Sequence, residues 1–158
     1  MRRIFRFAVM VLGTAAMALL ATSCGENKIV QCNKLVDVIN KGQALASSGV
    51  NGNDPAAMTQ LANNLDGLSQ EIKGVQVQDT KLKEFQTNFA RIYQTLAQSS
   101  REIANAVASL RQTPATGAGA TQAKQVQAKA QAATQTALKA AQEESKSVND
   151  LNGYCKAQ

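Results

Sequence analysis

Three side chains in this sequence can do sulfur chemistry: Cys24, Cys32 and Cys155. A cysteine sulfur can carry a thioether-linked group, close a disulfide, ligate a metal or attack as a thiolate. The chain contains no His, so a Cys–His pair, a Ser–His triad and a His metal ligand are all excluded. Without His, a pair of Cys cannot complete a tetrahedral zinc shell, and no C-x-x-C redox motif occurs. Neither a metal nor a cofactor is expected. The carboxylates Asp37, Asp66, Glu71, Glu84, Glu102 and Asp150 are scattered, and Glu143-Glu144 is an adjacent pair. Helical neighbours point about 100° apart, so that pair reads as a solvated face rather than an acid–base dyad. No phosphate-cradling Gly loop or nucleophile elbow is present. These residues point away from an enzyme.

The residues before Cys24 give that sulfur a specific use. Arg2, Arg3 and Arg6 precede an apolar run of 13 residues, Ala8 to Leu20. Such a run suits the core of a secretory signal and is shorter than the roughly 18–20 residues of a membrane span. Leu20-Ala21-Thr22-Ser23-Cys24 follows, and it resembles the lipobox of bacterial lipoproteins. Ala21 stands where that motif most often has Leu, with Leu20 one place earlier. The resemblance implies a diacylglyceryl group on the Cys24 sulfur and cleavage just before it. The other reading is an ordinary signal peptide cut near Ala21 or Ser23, with a free thiol at Cys24. The expected organisation is a signal over 1–23, a lipid-tethered linker over 24–28 and one helical domain over 29–158.

Removing the signal changes the charge argument. The full chain carries 17 basic and 11 acidic residues, a formal +6. Three of the basic residues and none of the acids lie in 1–23, which leaves +3 on residues 24–158. Arg91, Arg101 and Arg111 step by ten residues, so they do not line one helix face. No nucleic-acid partner is expected, while a weak attraction of Lys28 and Lys34 to anionic lipid headgroups is.

With Cys24 committed to lipid, Cys32 and Cys155 form an even remainder in an exported chain, which reads as a disulfide; two buried free thiols are the alternative. The pair sits near the two ends of the exported domain. Bonding it requires a fold that brings those ends together.

The apolar spacing supplies such a fold. It is helical almost throughout, and no stretch alternates as a half-buried strand does. A first helix over 29–47 presents Cys32, Leu35, Val36, Ile39 and Leu45. A second opens at Asp54-Pro55, a cap followed by a residue pre-shaped for a first turn. Met58, Leu61, Leu65, Leu68, Ile72 and Val75 form its 3-4 seam. A third starts near Asp79 or Thr80 and continues the same spacing through Leu82, Phe85, Phe89, Ile92, Leu96, Ser99, Ile103, Ala106 and Leu110. Phe85, Phe89 and Tyr93 form an aromatic ridge that reads as core, with the Tyr93 hydroxyl at the edge of the seam and within reach of water. After Thr113 to Ala120, a linker, a fourth helix runs from about Ala120 to Leu151. Residues 120–142 hold 9 Ala and 6 Gln, which favours helix intrinsically but gives little area to bury; a flexible low-complexity segment is the alternative.

Four helices with short connections predict an all-α, up-down-up-down four-helix bundle with a long hairpin of the third and fourth helices. That topology places Cys32 and Cys155 at one end, beside the lipid tether. The outer part of the hairpin is expected to extend roughly 20 Å past the two shorter helices. Ile103, Val107 and Leu110 then become a candidate protein-contact surface, unless the 47–54 loop folds over them or the third helix breaks at Ser99-Ser100.

Gln31-Cys32-Asn33-Lys34, Lys81-Leu82, Phe85-Gln86-Thr87-Asn88-Phe89 and Tyr154-Cys155 together resemble a family of uncharacterised, largely cyanobacterial lipoproteins. The resemblance covers most of the chain after Cys24 through short motifs. It implies an envelope location and a helical bundle, and no activity. The expected protein is lipid-anchored on the periplasmic or extracellular side of a membrane and acts non-catalytically, by contact with an envelope protein. The alternative is a binder of a small apolar or lipidic ligand within the bundle.

Overall fold

The computed structural model describes residues 27–47, 51–114 and 117–157. The expected signal, Cys24 and most of the tether lie outside these residues. Four helices make up the fold: α1 (Lys28–Ser47), α2 (Pro55–Gly74), α3 (Thr80–Gln112) and α4 (Gly117–Lys156). They pack as the expected all-α, up-down-up-down bundle. α3 is the central element, flanked along its length by α2 and α4.

The helix starts follow local chemistry. Asn27 Oδ1 accepts from the Ile29 N–H at 2.9 Å, so α1 opens one residue earlier than its apolar spacing indicates. Asp54 Oδ1 accepts from the Ala56 N–H at 2.9 Å with Pro55 at the first helical position. Asp79 Oδ1 caps α3 through the Leu82 N–H at 2.9 Å. Each side chain satisfies a donor that has no partner within its helix.

The end of α2 is closed from a distance. Gln86 Nε2 donates to the carbonyls of Ile72 and Val75, both at 2.7 Å. Gln31 Oε1 accepts from the N–H groups of Gln78 at 2.6 Å and Asp79 at 3.1 Å. The 75–79 connection is thus held by one Gln from α1 and one from α3.

The core joins Cys32, Leu35 and Ile39 of α1, Leu65, Leu68 and Ile72 of α2, Leu82, Phe89, Ile92 and Tyr93 of α3, and Ala140 and Leu151 of α4. α3 buries more than its 3-4 seam, because it packs against neighbours on several sides. Ala90, Ala97, Ser100 and Ala104 are buried beside the seam residues. Small residues let helix axes approach closely. At one such approach the Ser69 hydroxyl donates to the Ala90 carbonyl at 2.9 Å.

α4 is longer at both ends than its composition suggests. Its first turn begins at Gly117, which shortens the expected linker. A Cβ on Gly119 would stand 1.9 Å from the Pro114 carbonyl oxygen, so this hairpin is tight because position 119 has no side chain. Its last turn continues through Gly153 and Tyr154 to Lys156 and carries Cys155 to α1.

The expected arm is corrected on one side. Pro55, Ala56 and Thr59 line a shallow groove with Ala104, Asn105 and Ala108, so the start of α2 runs beside the far part of α3. Arg111 donates to the Asn53 carbonyl at 2.5 Å, which extends that cover past the helix. Of the two short helices, α1 alone stops early. The contact of Gly42 with Tyr93 sets its level, and Ser47 lies about 7–8 Å further along.

Candidate functional site

At the end where α1 starts and α4 finishes, side chains from three helices converge. Cys32 and Cys155 form a disulfide with Cα atoms 6.0 Å apart. Cys32 is buried and Cys155 half-buried. The next residue inward on α4, Tyr154, packs against Phe85 of α3 with ring centroids 6.0 Å apart and planes tilted by 48°. Its hydroxyl lies 3.0 and 2.9 Å from the two Asp79 carboxylate oxygens. Lys28 Nζ sits 3.8 Å above the same ring, a cation–π contact from α1.

This cluster is electrostatically closed. The Leu82 N–H, with help from Tyr154, holds the Asp79 carboxyl below its ordinary 3.8, against a smaller opposing effect of burial. The Asp79 carboxylate in turn pushes the Tyr154 phenol above its ordinary value. The arrangement fastens the chain ends. It presents no open nucleophile, since both sulfurs are bonded to each other.

A second network crosses the middle of the bundle. Tyr93 is 1% exposed, so the expectation that its hydroxyl meets water is corrected. The hydroxyl donates to Glu144 Oε1 at 2.6 Å and lies 3.3 Å from the Ile39 carbonyl. Burial, then the bond to Glu144, raises its pKa far above the usual phenol value. Gly42 makes this possible. A Cβ there would lie 2.1 Å from the Tyr93 hydroxyl oxygen, so the ring rests against bare α1 backbone. One tyrosine of α3 thereby ties α1 to α4. The apolar spacing of α1 gave no sign of Gly42, because glycine carries no hydrophobic signal.

Three ion pairs run between helices. Arg91 pairs with Glu143 of α4, and Arg101 with Asp66 of α2. Lys41 of α1 pairs with Glu71 of α2. The ten-residue step of the α3 arginines turns them to different neighbours, which explains their lack of a common face. Glu143 and Glu144 also separate, one to Arg91 and the other to Tyr93. Among the described residues, no three Cys, Asp or Glu side chains gather as a metal shell requires.

The candidate contact residues lie on α3 past the level of the α1 end. Ile103 and Val107 are half-buried, and Leu110 is 38% exposed. Beside them, between α3 and α4, a groove of about 490 Å³ is lined by Glu102, Ala106, Ser109, Val126, Lys129 and Ala132. Small side chains on both helices leave that groove open to solvent. No described helix is long and apolar enough to cross a membrane. Cys24, the expected lipidation site, lies outside the described residues. Compared with family models, curated proteins and solved structures, the chain matches none.

Proposed function

We propose that this chain is a lipid-anchored envelope protein whose helical bundle acts non-catalytically, by contact with another envelope protein. The observation that carries the reading is the sequence Leu20-Ala21-Thr22-Ser23-Cys24 after a short apolar run. Its support is the position of the disulfide end. Asn27, three residues after Cys24, starts α1 beside the Cys32–Cys155 bond, so a lipid at Cys24 would hold the most firmly fastened end of the bundle near the membrane. The far ends of α3 and α4 then point outward and offer Ile103, Val107 and Leu110 to a partner.

A photo-crosslinking amino acid placed at Leu110 in the intact lipoprotein, in native membranes, tests the contact. A discrete protein adduct is expected from position 110 and none from Lys41, which is turned to α2. Adducts from neither position would remove the protein-contact reading.

The ligand alternative has one observation in its favour, the α3–α4 groove, where Ala106, Val126 and Ala132 stand among polar side chains. A lipid extracted from the purified protein, together with no adduct at position 110, would place this reading first.

A further inference from the structure

We propose that the first turn of α1 is a membrane-seating surface: Ile29 and Val30 enter the interfacial layer of an anionic bilayer, and the lysines around that end meet its headgroups. The inference rests on the lipid-anchor reading and adds an orientation to it.

Two large apolar residues stand exposed side by side where the tether enters the fold. Ile29 is 46% exposed and Val30 42%, while the helix behind them buries Gln31, Cys32 and Leu35. Their place matters more than their number. From Cys24 to Ile29 the chain spans five residues, at most about 18 Å when fully extended. A diacylglyceryl group on Cys24 lies in the bilayer, so its sulfur stands at headgroup level. Ile29 and Val30 are therefore held within reach of the interface, where an exposed aliphatic side chain gains by leaving water.

The charges at that end have the complementary sign for anionic headgroups. Lys28 begins α1, Lys73 lies in the last turn of α2, Lys81 and Lys83 occupy the first turn of α3, and Lys156 ends α4. The acids nearby are already engaged. Asp79 caps α3 and contacts Tyr154, and Glu84 pairs with Lys81 at 2.5 Å. Glu26 in the tether and Asp150, two turns before the end of α4, are acids that oppose the trend. The disulfide and the Lys28–Tyr154–Asp79 contacts make this end rigid, so seating one turn of α1 orients the whole bundle. The far ends of α3 and α4 then stand away from the surface.

The absence of Trp from the chain makes the test clean. Full-length lipoprotein carrying Ile29→Trp is reconstituted in phosphatidylethanolamine–phosphatidylglycerol vesicles and compared with Leu138→Trp. Leu138 is a matched exposed site, 59% accessible on α4. The indole at position 29 is expected to emit at shorter wavelength and to be quenched several-fold more by lipids brominated near the headgroup. Replacing phosphatidylglycerol with phosphatidylcholine is expected to reduce that quenching. Equal, water-like emission from both positions in vesicles that retain the protein would overturn the seating surface and leave the anchor standing. Protein that fails to float with the vesicles and carries no acyl group at Cys24 would overturn both.

Discussion

At the scale of single residues, Gly42 and Tyr93 hold the account together. Adding a methyl group at position 42 drives it into the Tyr93 ring and hydroxyl. Gly42→Ala is expected to cost about 1–3 kcal/mol in urea denaturation, the range for overpacking a filled site. The usual gain from Gly→Ala in a helix is about 1 kcal/mol, so an increase in stability would contradict the packing. A second residue-scale prediction concerns Asp79. Its folded pKa is depressed, so its contribution is complete above the ordinary carboxylate value and is lost as pH falls through the folded one. Asp79→Asn keeps an acceptor for the cap but removes the charge. The variant is expected to lose less stability than the parent between neutral pH and pH values below about 4. Parallel acid curves for the two proteins would contradict this.

Elements respond to forces that single residues do not reveal. The 3-4 spacing made the four helices and their order legible, because burial of one stripe per helix is a periodic signal. The cap pairs Asp54-Pro55 and Asp79-Thr80 made two starts legible through local chemistry, since each Asp oxygen accepts an N–H that its helix leaves without a partner. The cover of the far part of α3 by the start of α2 was not legible, since it includes a bond from Arg111 to a backbone carbonyl, that of Asn53, which carries no side-chain signal. Nor was the burial of Ser100 and Ala104, which follows from α3 having neighbours on several sides. The disulfide was legible only as an even remainder, and the topology supplied its geometry. Its separation of 123 residues makes it the largest single constraint on the unfolded chain. A Cys32→Ala, Cys155→Ala double variant is expected to lose about 3–5 kcal/mol, read as a fall in Tm. A change below about 1 kcal/mol would mean that the helices hold without it. On α3, Phe89→Ala is expected to cost about 3–5 kcal/mol and Leu110→Gln less than about 1. Equal losses would place Leu110 in the core and remove the candidate contact surface.

The whole molecule has two unlike ends. One end gathers the disulfide, the Tyr154–Asp79 contact and the side chains that close the 75–79 connection. The other consists of a tight α3–α4 hairpin with α2 beside it and α1 stopped short. The Ala-rich length of α4 docks with little apolar area, so its attachment depends on Arg91–Glu143, Tyr93–Glu144, Leu151 and the disulfide. The Arg91–Glu143 and Tyr93–Glu144 contacts lie at the middle of the bundle, and Leu151 and the disulfide lie toward the fastened end. Hydrogen exchange is therefore expected to be slowest around Phe89, Tyr93 and Leu151 and faster over 120–132. A uniform profile would contradict the division. Three of the 17 basic residues lie in 1–23, and the described arginines bond to Glu143 of α4, Asp66 of α2 and the Asn53 carbonyl before α2.

The central claim is the tether at Cys24, and the mass of the N-terminal peptide of the protein isolated from membranes measures it directly. The expected peptide begins at Cys24 and carries a diacylglyceryl thioether, with Cys32 still bonded to Cys155. A peptide with an unmodified Cys24 thiol, or one cut elsewhere, would contradict the anchored arrangement.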